Sequence, residues 1–256
     1  MLGLGTKLTK SKIVTPGIVT DSLVMKHMYP AGAVQPLSDG AVYFGGNTVD
    51  DYIDCGAINL GTSGLSFGGW FWISSTQGDQ FATLIGQAGW DTDHVEGALL
   101  RLNNNALQMS FGDNTNGVDD IKSIDSDFLT TLRYKDSWSH IYVTLSSGTT
   151  GSLTSKGYIN GVLQATDTDV NFESNHSTTN FTIGKSVGIN GTDSALKGYA
   201  SNVSLYSREL TQAEVKSIMW KQYADLSTSE KGSLVSWWNL DTNANDSHGS
   251  NNGTLV

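Results

Sequence analysis

The chain has 256 residues, a formal net charge of −10 and a single cysteine. This length suits one large domain, or one domain with an arm, and a lone cysteine excludes an intramolecular disulfide framework. The acidic balance argues against nucleic acid as a partner, because phosphate groups would be repelled. No stretch is long and apolar enough to predict a membrane span.

Residues 1–40 differ in composition from the rest of the chain. All three prolines lie here, and the segment carries a net charge of +2, whereas residues 41–256 carry −12. No apolar stretch of signal-peptide length precedes the first lysines, so no export signal is expected. The segment is either a flexible leader or an arm that docks on a partner. The docking interpretation assigns the contacts to Lys7, Lys10, Lys12, Ile13, Val14 and Ile18.

From Ala41 onward, apolar and polar residues alternate with the period of a β-strand. The clearest run spans residues 65–74, with four apolar residues on one face and Trp70 and Trp72 on the other. A strand with two apolar faces belongs in the middle of a sheet. For the two tryptophans, packing beneath a second layer is the first interpretation. A ligand-stacking platform is the alternative.

Two hairpins are predicted from asparagine-rich turns. Asn160-Gly161 stands between two β-prone runs. It favours a type I′ turn, because both central residues of that turn need positive φ. A second hairpin signal is the run of asparagines at 103–105. By contrast, residues 86–96 and 112–127 are rich in polar and small residues, and we predict loops there.

One helix is predicted, and it comes late in the chain. Thr211-Gln212-Ala213-Glu214 is a capping box, in which two side chains satisfy backbone amides reciprocally. Residues 234–238 then return to strand character. With about ten short strands and a single helix, the fold class is all-β, an antiparallel β-sandwich.

Four stretches in order resemble the laminin-G-like domains of the concanavalin-A-like lectin and glucanase superfamily. The resemblance implies a jelly-roll sandwich matching residues 41–220, with 211–256 adding a closing helix and a terminal strand. Residues 234–241 resemble the opening strand of such domains, so they either complete this sandwich or pair with a neighbouring copy. The four similar stretches are 42–53, 65–74, 138–161 and 198–219.

Calcium is common in relatives of this kind, and it requires converging hard oxygen ligands. Gly46 and Ser201 stand where the family pattern has acidic residues. We therefore expect no cofactor. The remaining candidate calcium ligands are Asn47, Asp50 and Asp51.

No catalytic pattern is found in the sequence. Hydrolases of glycosidic bonds use two carboxylates that flank the bond, and no two of the five glutamates lie within four residues of each other. The aspartate pairs with a spacing of two residues are Asp91/Asp93, Asp125/Asp127 and Asp167/Asp169. We expect these pairs in solvated, turn-rich segments, and predict that the chain is not an enzyme.

Sugar binding is the chemistry that the predicted loops favour. Aromatic faces and planar polar side chains at the end of a sandwich would hold a sugar, although ordinary hydrophilic loops are the alternative. The candidate ligand-binding residues are Trp90, Asp91, Asp93, Asp113, Asn114 and Asn116.

The resemblance and the basic leader suggest two functions. The first is a non-catalytic virion protein of a bacteriophage, such as a capsid decoration protein or a fibre subunit. It would dock on other virion proteins through residues 1–40, form a homo-oligomer or multi-copy assembly, and bind host-surface glycans. The alternative is a carbohydrate-binding module of an extracellular or cell-surface protein.

Overall fold

The computed structural model describes residues 40–46, 51–62, 64–78, 81–91, 94–113, 118–130, 134–172, 179–186 and 195–256. Within these ranges the chain forms two seven-stranded sheets and one α-helix, and every pairing between strands is antiparallel. The predicted all-β antiparallel sandwich is therefore confirmed. No helix in the described ranges is long and apolar enough to span a membrane.

Sheet A has the strand order β1-β12-β3-β8-β9-β10, with β13 also paired to β12. Its strands are β1 (Val42–Gly45), β3 (Leu65–Ile73), β8 (Trp138–Leu145), β9 (Leu153–Ile159), β10 (Val162–Val170), β12 (Lys197–Tyr206) and β13 (Leu234–Trp238).

Sheet B has the order β14-β2-β11-β4-β5-β6-β7. Its strands are β2 (Ile53–Asp54), β4 (Ala82–Asp91), β5 (His94–Asn103), β6 (Ala106–Asp113), β7 (Val118–Asp125), β11 (Thr182–Ile183) and β14 (Thr254–Leu255).

The core lies between the two sheets and follows the predicted alternation. Phe67 and Phe71 of β3 are at most 1% exposed, and the Phe67 ring meets Phe111 of β6 at 6.4 Å. Burying aromatic rings of this size supplies much of the free energy that holds two sheets together. Since Phe67 and Phe71 fill the inner face of β3, the residues that alternate with them project from the outer face of sheet A.

That second layer covers part of the outer face of sheet A. Helix α1 (Gln212–Ile218) and the chain that follows it pack on Tyr142, Tyr206 and Trp237. Trp70 is 1% exposed, and its Nε1 donates to the Met219 carbonyl at 3.0 Å. The packing interpretation is thus confirmed for Trp70.

The helix begins as the sequence predicts. The Thr211 Oγ1 accepts from the Glu214 N–H at 3.3 Å, and Glu214 Oε2 accepts from the Thr211 N–H at 2.8 Å. After the helix, β13 pairs with β12 and β14 pairs with β2. Residues 234–238 therefore form a strand of the same sandwich.

Both predicted hairpins are present. Asn160 and Gly161 have φ values of 51° and 72°, and Asn104 and Asn105 have values of 47° and 69°. Positive φ at both central residues is the signature of the type I′ turn.

The two predicted loops are wrong. Residues 86–96 are mostly strand, since β4 and β5 pair from Ala82↔Leu102 to Asp91↔His94. Residues 112–127 contain β7, which pairs with β6. Asp167 and Asp169, expected in a turn-rich segment, lie on the edge strand β10. A strand that faces solvent on one side tolerates polar residues, because the hydrogen bonds between strands are formed by the backbone and not by the side chains.

Candidate functional site: an aromatic strip on sheet A

Four aromatic residues form one register line across four neighbouring strands of sheet A. Tyr43 of β1 lies opposite Tyr199 of β12, which lies opposite Trp72 of β3, which lies opposite Trp138 of β8. Residues directly opposite on paired strands project from the same face of a sheet. Because Phe71, the neighbour of Trp72, points into the core, this aromatic strip lies on the outer face.

The rings of the aromatic strip support one another. Tyr199 lies 4.9 Å from Tyr43 at 53°, 5.5 Å from Trp72 at 77° and 6.3 Å from Trp138 at 49°, measured between ring centroids and planes. Tilted and edge-to-face contacts of this kind are favourable for aromatic pairs. Tyr43 is 55% exposed and Tyr199 37% exposed, while both tryptophans are half-buried. The strip therefore exposes ring surface to solvent, and the contacts between the rings hold their side chains in place.

One long side of the strip is polar. Lys197 precedes Tyr199 by two residues, and its carbonyl accepts from the Ser74 N–H at 2.9 Å. Asp136 precedes Trp138 by two residues, and its Oδ1 accepts from the Ser75 N–H at 2.9 Å. Hydrogen bonds from Ser75 lower the pKa of the Asp136 carboxyl, which keeps it ionised at neutral pH. We call Ser74, Asp136 and Lys197 the polar flank.

The other long side is closed by the second layer. Trp70 and His140 lie opposite each other in the next outward-facing row of β3 and β8, and both are at most 3% exposed. The Trp220 ring lies 5.7 Å from Trp70 and remains 43% exposed. Trp220 thus forms an apolar wall beside the strip, opposite the polar flank.

The residues predicted to bind a ligand lie elsewhere. Trp90 and Asp91 end β4, and Asp113 ends β6. The register places these positions at one end of sheet B, on strands separated by β5, and not on the aromatic strip. The remaining three predicted residues, Asp93, Asn114 and Asn116, lie outside the described residues.

Most of the predicted docking and calcium residues lie outside the part of the chain that the structure describes. All six docking residues of 1–40, together with Asn47 and Asp50, lie outside the described ranges. Asp51 is described, but no group of three or more His, Cys, Asp or Glu side chains in the described part of the chain is placed to hold a metal. The Ser201 Oγ donates to the Gly40 carbonyl at 3.1 Å, so this position ties two segments of the fold together.

A concavity lies where β2 and β14 meet, with a volume of about 520 Å³. Asp54 lines it, but Asp54 Oδ2 accepts from Asn180 Nδ2 at 2.9 Å and Oδ1 accepts from the Gly56 N–H at 2.8 Å. Its described lining is polar and contains no aromatic ring. Binding pockets are usually lined mainly by apolar and aromatic groups, so the aromatic strip is the stronger candidate.

Comparison with known proteins identifies the family of this fold. The sequence profile of the Laminin_G_3 family, in the concanavalin A-like lectin/glucanases superfamily, matches residues 45–216. No curated protein sequence is significantly similar to the chain.

Among solved structures, a candidate carbohydrate-binding protein from Bacteroides ovatus is similar, with 20% identity and a TM-score of 0.56 over 86% of this chain. The chain spans 59% of the length of that protein. The CBM40 of a Ruminococcus gnavus IT-sialidase, bound to α2,3-sialyllactose, is also similar, with 10% identity and a TM-score of 0.52 over 72% of this chain and 98% of the module. At these identities the likeness shows a shared fold, and the profile match over most of the chain shows the family: this protein belongs to the Laminin_G_3 family of the concanavalin A-like lectin/glucanase superfamily.

Proposed function

We propose that the chain is a non-catalytic carbohydrate-binding domain of an extracellular or cell-surface protein, and that the aromatic strip is its binding surface. The observation that carries this proposal is the register line of Tyr43, Tyr199, Trp72 and Trp138, which presents partly exposed rings on one face of a sheet. The similar structures from Bacteroides ovatus and Ruminococcus gnavus, a candidate carbohydrate-binding protein and a sialyllactose-bound module, support the same class of ligand.

The chemistry of the strip suits a sugar. The C–H faces of a pyranose ring are apolar and pack on aromatic faces, whereas its hydroxyl groups need hydrogen-bond partners at the edge of the ring. The polar flank offers such partners: the Asp136 carboxylate as an acceptor, the Lys197 ammonium as a donor, and the Ser74 hydroxyl as either. A sugar ring could therefore stack on the strip while its hydroxyl groups form hydrogen bonds with the polar flank.

The same surroundings argue against hydrolysis. Cleavage of a glycosidic bond requires two carboxylates placed on either side of it. Among the described residues of the polar flank and the aromatic strip, only Asp136 carries a carboxylate. The polar flank and the strip thus supply a single carboxylate, and the Asp51 carboxylate lies beyond them, beside Gly45 on the edge strand β1.

The test compares polysaccharide binding by the whole chain and by two variants. Native affinity electrophoresis in gels that contain β-glucan, xylan, mannan or a sialylated glycoprotein should show retardation by at least one polymer. Tyr199→Ala should be retarded clearly less, because Tyr199 contacts the other three rings of the strip.

The matched control is Leu163→Ala, since Leu163 is 41% exposed on β10, away from the strip. This variant should be retarded like the unaltered chain. Absence of retardation by every polymer, or equal retardation of Tyr199→Ala and the unaltered chain, would overturn the proposal.

A role in a bacteriophage virion is a second proposal, and the composition of residues 1–40 favours it. This segment is basic and contains all the prolines, ahead of an acidic body, as expected of an arm that docks on other virion proteins. Co-purification with capsid or fibre proteins that is lost on deletion of residues 1–40 would support this role. Association that survives the deletion would contradict the docking function of the arm.

A further inference from the structure

We infer that the aromatic strip binds an internal stretch of a linear, uncharged glycan, which lies perpendicular to the strands of sheet A. This inference rests on the proposed carbohydrate-binding function and specifies the class of ligand. It depends on three features of the strip: its length, its open ends and the difference between its two long sides.

The length of the strip exceeds that of one sugar ring. The four rings stand on four adjacent strands, so the line crosses three strand intervals, or roughly 14 Å at the usual strand spacing. A monosaccharide would cover one or two of the rings and leave the others in water. A chain of several sugars that follows the line would contact all four.

Both ends of the strip are open within the described residues. At one end, Tyr43 stands on β1, which pairs only with β12 and is an edge of sheet A. At the other end, Trp138 is the first residue of β8, and the pairing of β8 with β9 starts only at Ile141. No described strand continues the register line past either residue. The described strands thus leave room for a glycan to extend in both directions, which a pocket for a chain terminus would prevent.

The two long sides select the shape and charge of the glycan. On one side, the partly exposed Trp220 ring beside the buried Trp70 presents an apolar surface to the glycan. On the other side stand charges of both signs: Lys197 is positive, whereas Asp136 is negative, as is Asp51, whose carboxylate lies beside Gly45 opposite Lys197. A neutral chain that bears its hydroxyl groups towards the polar flank matches both sides.

The test is calorimetric titration of the whole chain with linear oligosaccharides of β-glucan, xylan and mannan, from mono- to hexasaccharide. For the polymer that binds, the affinity should rise at least about ten-fold from the monosaccharide to a plateau, because each added sugar gains a ring contact. Attachment of a bulky fluorophore at the reducing end should leave the plateau affinity unchanged.

A variant at one end of the strip makes the test specific. Tyr43 is 55% exposed on an edge strand, so Tyr43→Ala should fold normally. This variant should lose affinity for the longest oligosaccharides and keep its affinity for the shortest.

The outcomes distinguish failure of the internal-stretch inference from failure of the proposed carbohydrate-binding function. If the monosaccharide binds as tightly as the hexasaccharide, or if the fluorophore abolishes binding, the carbohydrate-binding function stands and the internal-stretch inference is wrong. If only sialylated or other charged glycans bind, the inference of a neutral ligand is wrong. If no glycan binds at all, the proposed function itself is wrong.

Discussion

Tyr199 of β12 and Trp72 of β3 lie directly opposite each other, and their rings meet edge to face, with centroids 5.5 Å apart and planes at 77°. Each ring restricts the side-chain rotation of the other. The proposed binding surface is therefore ordered before a ligand arrives, which lowers the entropic cost of binding.

The first prediction concerns this pair. Trp72→Ala and Tyr199→Ala should each weaken glycan binding by about ten-fold in Kd, or about 1.4 kcal/mol. The double variant should lose less than the sum of the two, because either truncation also releases the partner ring. Calorimetric titration of the four proteins measures the coupling, and strictly additive losses would show that the two rings act independently.

The second prediction concerns Glu230, which is 9% exposed beside α1. Burial raises the pKa of its carboxyl, but hydrogen bonds from Lys221, Ser217 and Ser227 outweigh burial and lower the pKa to about 2. The unfolded chain therefore binds a proton at this group at higher pH than the folded chain. Stability from Glu230 is complete above about pH 5 and is lost as the pH falls towards 2.

Urea unfolding at pH 7, 5, 4 and 3 tests this linkage. Glu230→Gln should be less stable than the unaltered chain at pH 7, and the difference should shrink as the pH falls. Glu209→Gln is the control, since Glu209 forms a half-exposed ion pair with Lys156, and such pairs contribute under about 1 kcal/mol. A stability difference for Glu230→Gln that is constant from pH 7 to pH 3 would contradict the prediction.

The third prediction concerns His140, whose ring lies 5.4 Å from both Trp70 and Tyr142. Its Nδ1 has no hydrogen-bond partner among the described residues, and burial lowers the pKa of the ring to about 3. The unfolded chain thus binds the proton more readily between pH 6.5 and 3, so stability falls as the pH falls through this window.

His140→Phe should remove this dependence while keeping the ring contacts. We expect its free energy of unfolding to change less between pH 7 and pH 5 than that of the unaltered chain. This interval lies largely above the range in which Glu230 takes up its proton, so Glu230→Gln should retain the slope. Identical slopes for His140→Phe and the unaltered chain would show that His140 is not the source.

The fourth prediction concerns Asp246, a buried carboxylate in the segment that links β13 and β14. Its Oδ1 accepts from the Trp237 N–H at 3.0 Å and the His248 N–H at 2.9 Å, and its Oδ2 accepts from the Asn251 N–H at 3.2 Å. Asp246→Ala leaves these donors without their acceptor and should cost about 3 kcal/mol in unfolding free energy. Asp246→Asn keeps one acceptor oxygen and should cost less. Equal urea midpoints for all three proteins would disprove this role.

The fifth prediction concerns Gly161 in the β9–β10 turn. Its φ is 72°, and an added Cβ would lie 2.6 Å from the Lys216 Cγ of α1. Gly161→Ala should therefore destabilise the chain by about 1 kcal/mol, mainly through backbone strain. Thermal unfolding measures the loss, and an unchanged midpoint would show that the turn relaxes without cost.

The sequence was sufficient for the fold class because its local signals agree with the final structure. The Asn160-Gly161 turn, the Thr211 capping box and the alternation in β3 each depend on residues close together in the chain. The β4–β5 hairpin was missed for the same reason, since residues 86–96 have a turn-like composition and only the pairing of the two strands makes them extended.

The candidate site required information that no local pattern contains. Trp70 and Trp72 share one face of β3, and alternation cannot tell them apart. Trp70 is buried because the chain after α1 returns over it, whereas Trp72 lies on the aromatic strip. Likewise, Tyr43 and Tyr199 become neighbours through a pairing of segments more than a hundred residues apart, and that register is set by the whole sheet.

The register line across β1, β12, β3 and β8 also has a consequence for fragments of the protein. Its rings come from positions 43, 72, 138 and 199, so a fragment or a half-synthesised chain that lacks any of these strands cannot assemble it. If the strip binds a glycan as we propose, binding and folding are thermodynamically linked, and a glycan at a hundred times its Kd would add about 2.7 kcal/mol to the stability of the native state. A polysaccharide matrix would thus protect from unfolding the very molecules that adhere to it.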